Sequence, residues 1–130
     1  MTSRHDLKPD FGFEQPAGYH RMLASGEIDF RDSPLDPWYF IERDHFPEID
    51  DLFQKTWSRR TRTMPGRIVP FARRGDCDDV ACLLARPDGI EVLLVHGWTT
   101  DGYDVVAKYT TFEDWAEAAR GDVAELKKLR

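Results

Sequence analysis

Two acidic runs and one histidine have the spacing that could do chemistry. Glu48, Asp50 and Asp51 form one run, Asp76, Asp78 and Asp79 the other, and His96 stands shortly before Asp101 and Asp104. Three carboxylates around Cys77 suggest a cation site at first sight. A hard cation, however, needs several oxygens held by a shaped loop. No glycine stands at a calcium-loop spacing here, and no distal Glu completes such a loop. The run therefore predicts a polar turn, with Asp79 bonding backbone amides or Arg73, and no metal or cofactor is expected.

His96 with Asp101 or Asp104 could act as a general base and its orienting acid, the minimum for a small hydrolase. No serine or cysteine motif accompanies them to supply the nucleophile. Cys77 and Cys82 are the only cysteines and are not spaced as C-x-x-C. A Cys–His pair would form only if the fold brought one of them to His96. Cys82 alternates with Val80 and Leu84, the place of a small core residue. Gly75, Gly97 and Gly102 are separate turn residues and not a phosphate-cradling loop.

The alternative to reactive chemistry is recognition. The net charge is −6, unevenly placed: residues 58–74 hold six arginines and no acid, while residues 75–130 hold twelve acids against six bases. One reading is an ordinary solvated surface. The other is an acidic patch built from Glu48, Asp50, Asp51, Asp76, Asp78 and Asp79, which steers a basic partner through a field that salt screens. An acidic chain disfavours nucleic-acid binding, which needs clustered cations. Trp98 and Tyr103 flank the turn Thr99-Thr100-Asp101-Gly102, where large aromatics serve as interface anchors; for Trp98 a core position is equally open.

The elements that would position these residues follow from periodicity. Pro16 suits a first helical turn, Tyr19, Met22 and Leu23 share a face, and Gly26 stops the helix after Ser25. Residues 1–15 form an extended lead-in. Trp38-Tyr39-Phe40-Ile41 is a short strand. Asp44 is placed to cap a helix on which Phe46, Ile49, Leu52, Phe53 and Trp57 recur at threes and fours, an amphipathic face that needs a sheet to cover.

Arg67 to Ala72 is a strand that Pro70 drives to an edge or a bulge, and Gly75 to Asp79 is a turn. Val80–Arg86 and Ile90–His96 pair across Pro87-Asp88-Gly89. Gly97 to Gly102 turns the chain again. Tyr103, Val105, Ala107 and Tyr109 then alternate with polar neighbours on a strand with one drier face. Ile90–Val95 is apolar on nearly both faces, so it lies centrally with cover above and below. Thr111 opens a capping box with Asp114. Phe112, Trp115 and Ala119 face the core, Gly121 breaks that helix, and Val123, Leu126 and Leu129 make a last short one.

At 130 residues with 41% apolar content, one folded domain is expected. No apolar run is long enough for a bilayer span. The N-terminus lacks the apolar core of a secretory signal, and two cysteines make no disulfide framework. These features predict a reducing, cytoplasmic setting and no membrane partner.

Taken in order, Ile68-Val69-Pro70-Phe71-Ala72-Arg73, Asp78-Asp79-Val80-Ala81-Cys82, Val95-His96-Gly97-Trp98 and Thr111-Phe112-Glu113-Asp114-Trp115 resemble the SUKH superfamily. The resemblance covers residues 68–118 and, more loosely, Pro37-Trp38-Tyr39-Phe40 and the helix after it; residues 1–37 match nothing in it beyond Pro37. It implies an α+β domain with a twisted antiparallel meander and packed helices. It also implies a non-enzymatic binding protein: an immunity protein against a polymorphic toxin of nuclease or deaminase type, or an intracellular scaffold or regulator. The family meets its partners through variable surface, so the resemblance assigns no contact residues.

Overall fold

Alternating apolar residues in four consecutive segments pair as neighbours, and a three-residue strand joins their edge. In the computed structural model, which describes residues 8–26, 28, 30, 37–57, 67–75, 79–99 and 102–128, the strands are β1 (Trp38–Phe40), β2 (Arg67–Arg74), β3 (Asp79–Arg86), β4 (Gly89–Thr99) and β5 (Gly102–Tyr109). Among them the side chains of 56, 57, 97–99, 102–104, 126 and 127 are not described. Every pairing is antiparallel and the spatial order is β1-β2-β3-β4-β5, the expected meander. The helices are α1 (Ala17–Ser25), α2 (Phe46–Trp57) and α3 (Phe112–Lys128). This is an α+β fold.

The two sheet faces bury different sets. Val69, Phe71, Ala81, Leu83 and Val92 pack with Tyr19, Met22 and Leu23 of α1 and Phe112, Trp115 and Ala119 of α3. Ile68, Val80, Cys82, Leu84, Leu93 and Val95 pack on the other face against Phe53 of α2. β4 is thus covered above and below, as its apolar run requires, although β3 holds the middle of the sheet. Alternation along each strand delivers successive residues to opposite faces.

Pro70 shapes the larger core. It has no N–H for the ladder, and the β2–β3 register shifts beside it, from Pro70↔Cys82 to Ala72↔Ala81. Phe71 is the extra residue of this bulge, so Phe71 and Ala72 both reach the α1/α3 face. There Phe71 meets Trp115 edge-on at 4.9 Å between centroids and stacks near Phe112 at 5.6 Å.

Four details depart from the sequence expectations. β4 runs on through Gly97 to Thr99 and β5 opens at Gly102, where the sequence predicts a turn from Gly97 to Gly102. A second bulge lies in β5: Val95 pairs with Val105 and Leu94 with Ala107, leaving Val106 extra and 55% exposed. The alternation from Tyr103 to Tyr109 therefore changes face at Val106. Gly121 does not break the last helix, which runs on to Lys128. And the turn entering α2 is closed by the Phe46 N–H on the Glu42 carbonyl at 3.0 Å, with Asp44 exposed beside Arg43.

The other terminators are as expected. Gly26 adopts φ 73° and donates to the Met22 carbonyl, ending α1. The Thr111 hydroxyl accepts the Asp114 N–H at 3.2 Å, opening α3. Among the described residues no helix is long and apolar enough to cross a membrane.

Candidate functional site

The direction of α2 decides where the acids go. Gln54 donates to the Ile68 carbonyl near the start of β2, at 2.6 Å, whereas Glu48 and Ile49 line a groove with Arg73 near its end. α2 therefore runs opposite to β2, and its acid-bearing first turns lie where β2 hands over to β3. The register Val80↔Val95 and Asp79↔His96 puts the end of β4 at that same edge of the sheet. One end of the molecule thus gathers the start of α2, the β2–β3 connection and the β4–β5 connection.

Within α2 the three acids differ. Glu48 and Asp51 are exposed, and Asp51 pairs with Lys55 one turn on at 2.9 Å. Asp50 is half-buried and accepts from Gln54 at 3.0 Å. It also lies near the sheet: burial pushes the Cys82 thiol well up, and the Asp50 charge adds to that shift. Glu48 and Asp51 are the outward pair. Leu52 stands exposed between their turns while Phe53 is buried beneath.

Asp79 shares the end but not the face. Alternation from Val80 turns its side chain to the α1/α3 side, where its Oδ1 meets His96 Nδ1 at 2.7 Å. The register also sets Asp104 opposite His96. Among the described side chains His96 reaches Asp79, an acid of β3 that proximity in sequence does not suggest. Such a pair orients an imidazole for proton transfer, and it equally clasps β3 to β4. Asp76, Cys77, Asp78 and Asp101 lie outside the described residues, as do the side chains of Trp57, Trp98, Asp104 and Tyr103. The backbone places Trp98 on β4 and Tyr103 on β5, beside their shared turn.

Cys82 is fully buried against Leu93 and Phe53 in the smaller core cluster, far from a nucleophile's setting. Among the described residues no three His, Cys, Asp or Glu side chains converge to hold a metal.

The sequence reading missed one feature. A groove of about 420 Å³ opens between β1, the end of β2 and α2, with Tyr39, Ile41, Ile49 and Leu52 among its walls and Arg73 and Glu48 among its charged groups. Its signal was indirect: Tyr39 is the middle residue of an apolar triplet, and it pairs with Arg73 only across 34 positions of sequence.

Comparison with protein-family models, with curated proteins and with solved structures gave no match.

Proposed function

We propose that this chain is a non-enzymatic binding protein of the SUKH type, an immunity protein that blocks a basic toxin domain by covering its working surface. One observation carries the reading. The outward side of α2 presents Glu48, Asp51 and the exposed Leu52 at the sheet end where the β2–β3 and β4–β5 connections also emerge. In the sequence Asp76 and Asp78 fall between β2 and β3, and Trp98 and Tyr103 border the segment between β4 and β5. Asp79, by contrast, opens β3 and turns to the α1/α3 side. The outward α2 acids supply negative charge, and the exposed Leu52 supplies an apolar anchor beside them. Complementary charge speeds encounter, while desolvated aromatic and aliphatic groups hold the complex. The order of motifs shared with SUKH proteins supports the same reading, and the intracellular scaffold role would use the same surface.

The test is a search of the adjacent genes for a toxin domain, followed by co-expression with it; neighbours that encode none count against the proposal. The proposal expects restored growth with wild type and lost protection with Glu48→Lys/Asp51→Lys. Unprotected cells carrying abundant folded wild type contradict it.

A second reading is favoured by the His96–Asp79 contact, an imidazole held by a carboxylate as in an acid–base site. His96→Ala separates the two. It leaves toxin protection intact on the first reading, and abolishes the protein's effect on the second.

A further inference from the structure

The groove between β1, β2 and α2 has a chemistry of its own. Its volume of about 420 Å³ falls in the range of small-ligand sites. Tyr39, Ile49 and Leu52 offer an apolar wall, Arg73 stands at the β2 side, Glu48 stands on α2, and Glu42, already matched to His45 at 3.5 Å, lines the groove as well.

Arg73 is the informative member. Other half-buried arginines of the sheet are matched to acids: Arg74 to Asp122 at 3.4 Å, and Arg86 to Glu91 at 3.7 Å. Among the described residues no carboxylate lies within ion-pairing distance of Arg73, although Glu48 borders the same groove. A half-buried guanidinium keeps five donors fixed in one plane, suited to two carboxylate oxygens at once. A groove with a cation on one wall, an acid on another and apolar surface between them is complementary to a ligand carrying both charges.

We propose that this groove binds a small zwitterion with an apolar side chain, a free apolar amino acid or a dipeptide. Arg73 takes the carboxylate, Glu48 takes the ammonium group, and the side chain lies against Tyr39, Ile49 and Leu52. This site shares Glu48 and Leu52 with the proposed toxin-contact surface, but its test needs no toxin.

The full chain, labelled with nitrogen-15, is titrated with Leu-Leu, L-leucine, N-acetyl-leucine and leucinamide while backbone amide shifts are followed. Saturable shifts at Tyr39, Ile49 and Leu52 are expected with the zwitterions, the dipeptide and the amino acid ranking by how fully they fill the groove. Each capped compound binds about tenfold more weakly, the loss of one charged contact. Arg73→Gln removes the preference for leucine over leucinamide, and Glu48→Gln removes the preference for leucine over N-acetyl-leucine. Glu48 is exposed, so that second variant folds irrespective of the first. The proposal is overturned if no shifts occur at these amides at millimolar ligand. It is also overturned if capped and uncapped compounds bind alike, which would mark the groove as apolar contact surface for a protein.

Discussion

Trp38 Nε1 donates to Asp122 Oδ2 at 2.8 Å, tying the first strand to the far half of the last helix. Arg74 closes the cluster: its guanidinium lies 5.6 Å from the centre of the Trp38 ring and pairs with the same carboxylate. The edge strand β1 is only three residues long, so this side-chain clasp supplements a short ladder. Because Tyr39 and Phe40 border the groove, the clasp also fixes one of its walls.

Asp122→Ala leaves the buried Trp38 N–H without this acceptor and removes one partner of Arg74. A loss of about 1–3 kcal/mol is expected, read from urea unfolding followed by tryptophan fluorescence. Unchanged stability would mean that β1 is held by its ladder and ring contacts alone.

Gly121→Ala should act in the opposite direction. Gly121 sits within α3 with open space around the position of an added methyl group. Helix propensity then favours alanine by about 1 kcal/mol, measured as a higher midpoint in the same urea experiment. The substitution also tests the continuity of α3: a helix broken at Gly121 would gain nothing.

Gly18→Ala should destabilise. A methyl group there would lie 2.8 Å from Phe112 Cδ1 and collide with the Glu113 carboxylate. Glu113 is exposed and pairs with Arg21 across the α1–α3 contact, so it can swing aside; Phe112 is buried and cannot. Overpacking of this kind costs about 1–3 kcal/mol. Adding Glu113→Ala should recover only part of the loss.

Tyr19 gives the pH dependence. It is buried among Phe11, Phe40, Phe71 and Phe112, and its hydroxyl makes no hydrogen bond among the described residues. Burial pushes its phenol well above the ordinary value. The folded chain therefore keeps Tyr19 neutral where the unfolded chain ionises it. Its contribution is complete below about pH 10 and is lost as pH rises beyond that. The Cys82 thiol, raised first by burial and then by Asp50, adds a loss of the same sign that begins at lower pH. Tyr19→Phe removes a buried hydroxyl without a partner, and should raise stability by roughly 1 kcal/mol at neutral pH. It should also flatten the decline between pH 10 and 11, by urea midpoints across the alkaline range.

The sequence made legible whatever depends on local pattern. Period two in Val80–Arg86 and Ile90–His96, the Pro87-Asp88-Gly89 turn and the missing N–H of Pro70 each act on their immediate neighbours, and the sheet follows them. The helix face of Phe46 and Phe53 was legible for the same reason. What was not legible depends on register. Val106 bulges because of how β5 meets β4, which no residue of β5 announces. Gly121 stays helical, and Asp122, one position on, is held by Trp38 from far earlier in the chain. His96 meets Asp79 because β3 and β4 align there, a partner that no neighbour in sequence announces. Of the expected contact residues, the α2 acids share one helix, and the separation of outward Glu48 and Asp51 from inward Asp50 emerged only with the sheet beneath them.

The most direct test of the proposed contact surface is the association rate, at low and physiological salt, with the toxin domain against which the chain protects in co-expression. Glu48→Lys/Asp51→Lys is the informative variant, because both side chains are exposed and Asp50 keeps its bond to Gln54. The wild type should associate rapidly at low salt and slow as salt rises. The variant should be about tenfold slower at low salt and nearly insensitive to it. Equal rates and equal salt slopes for the two proteins would contradict the assignment of this end of the molecule as the binding surface.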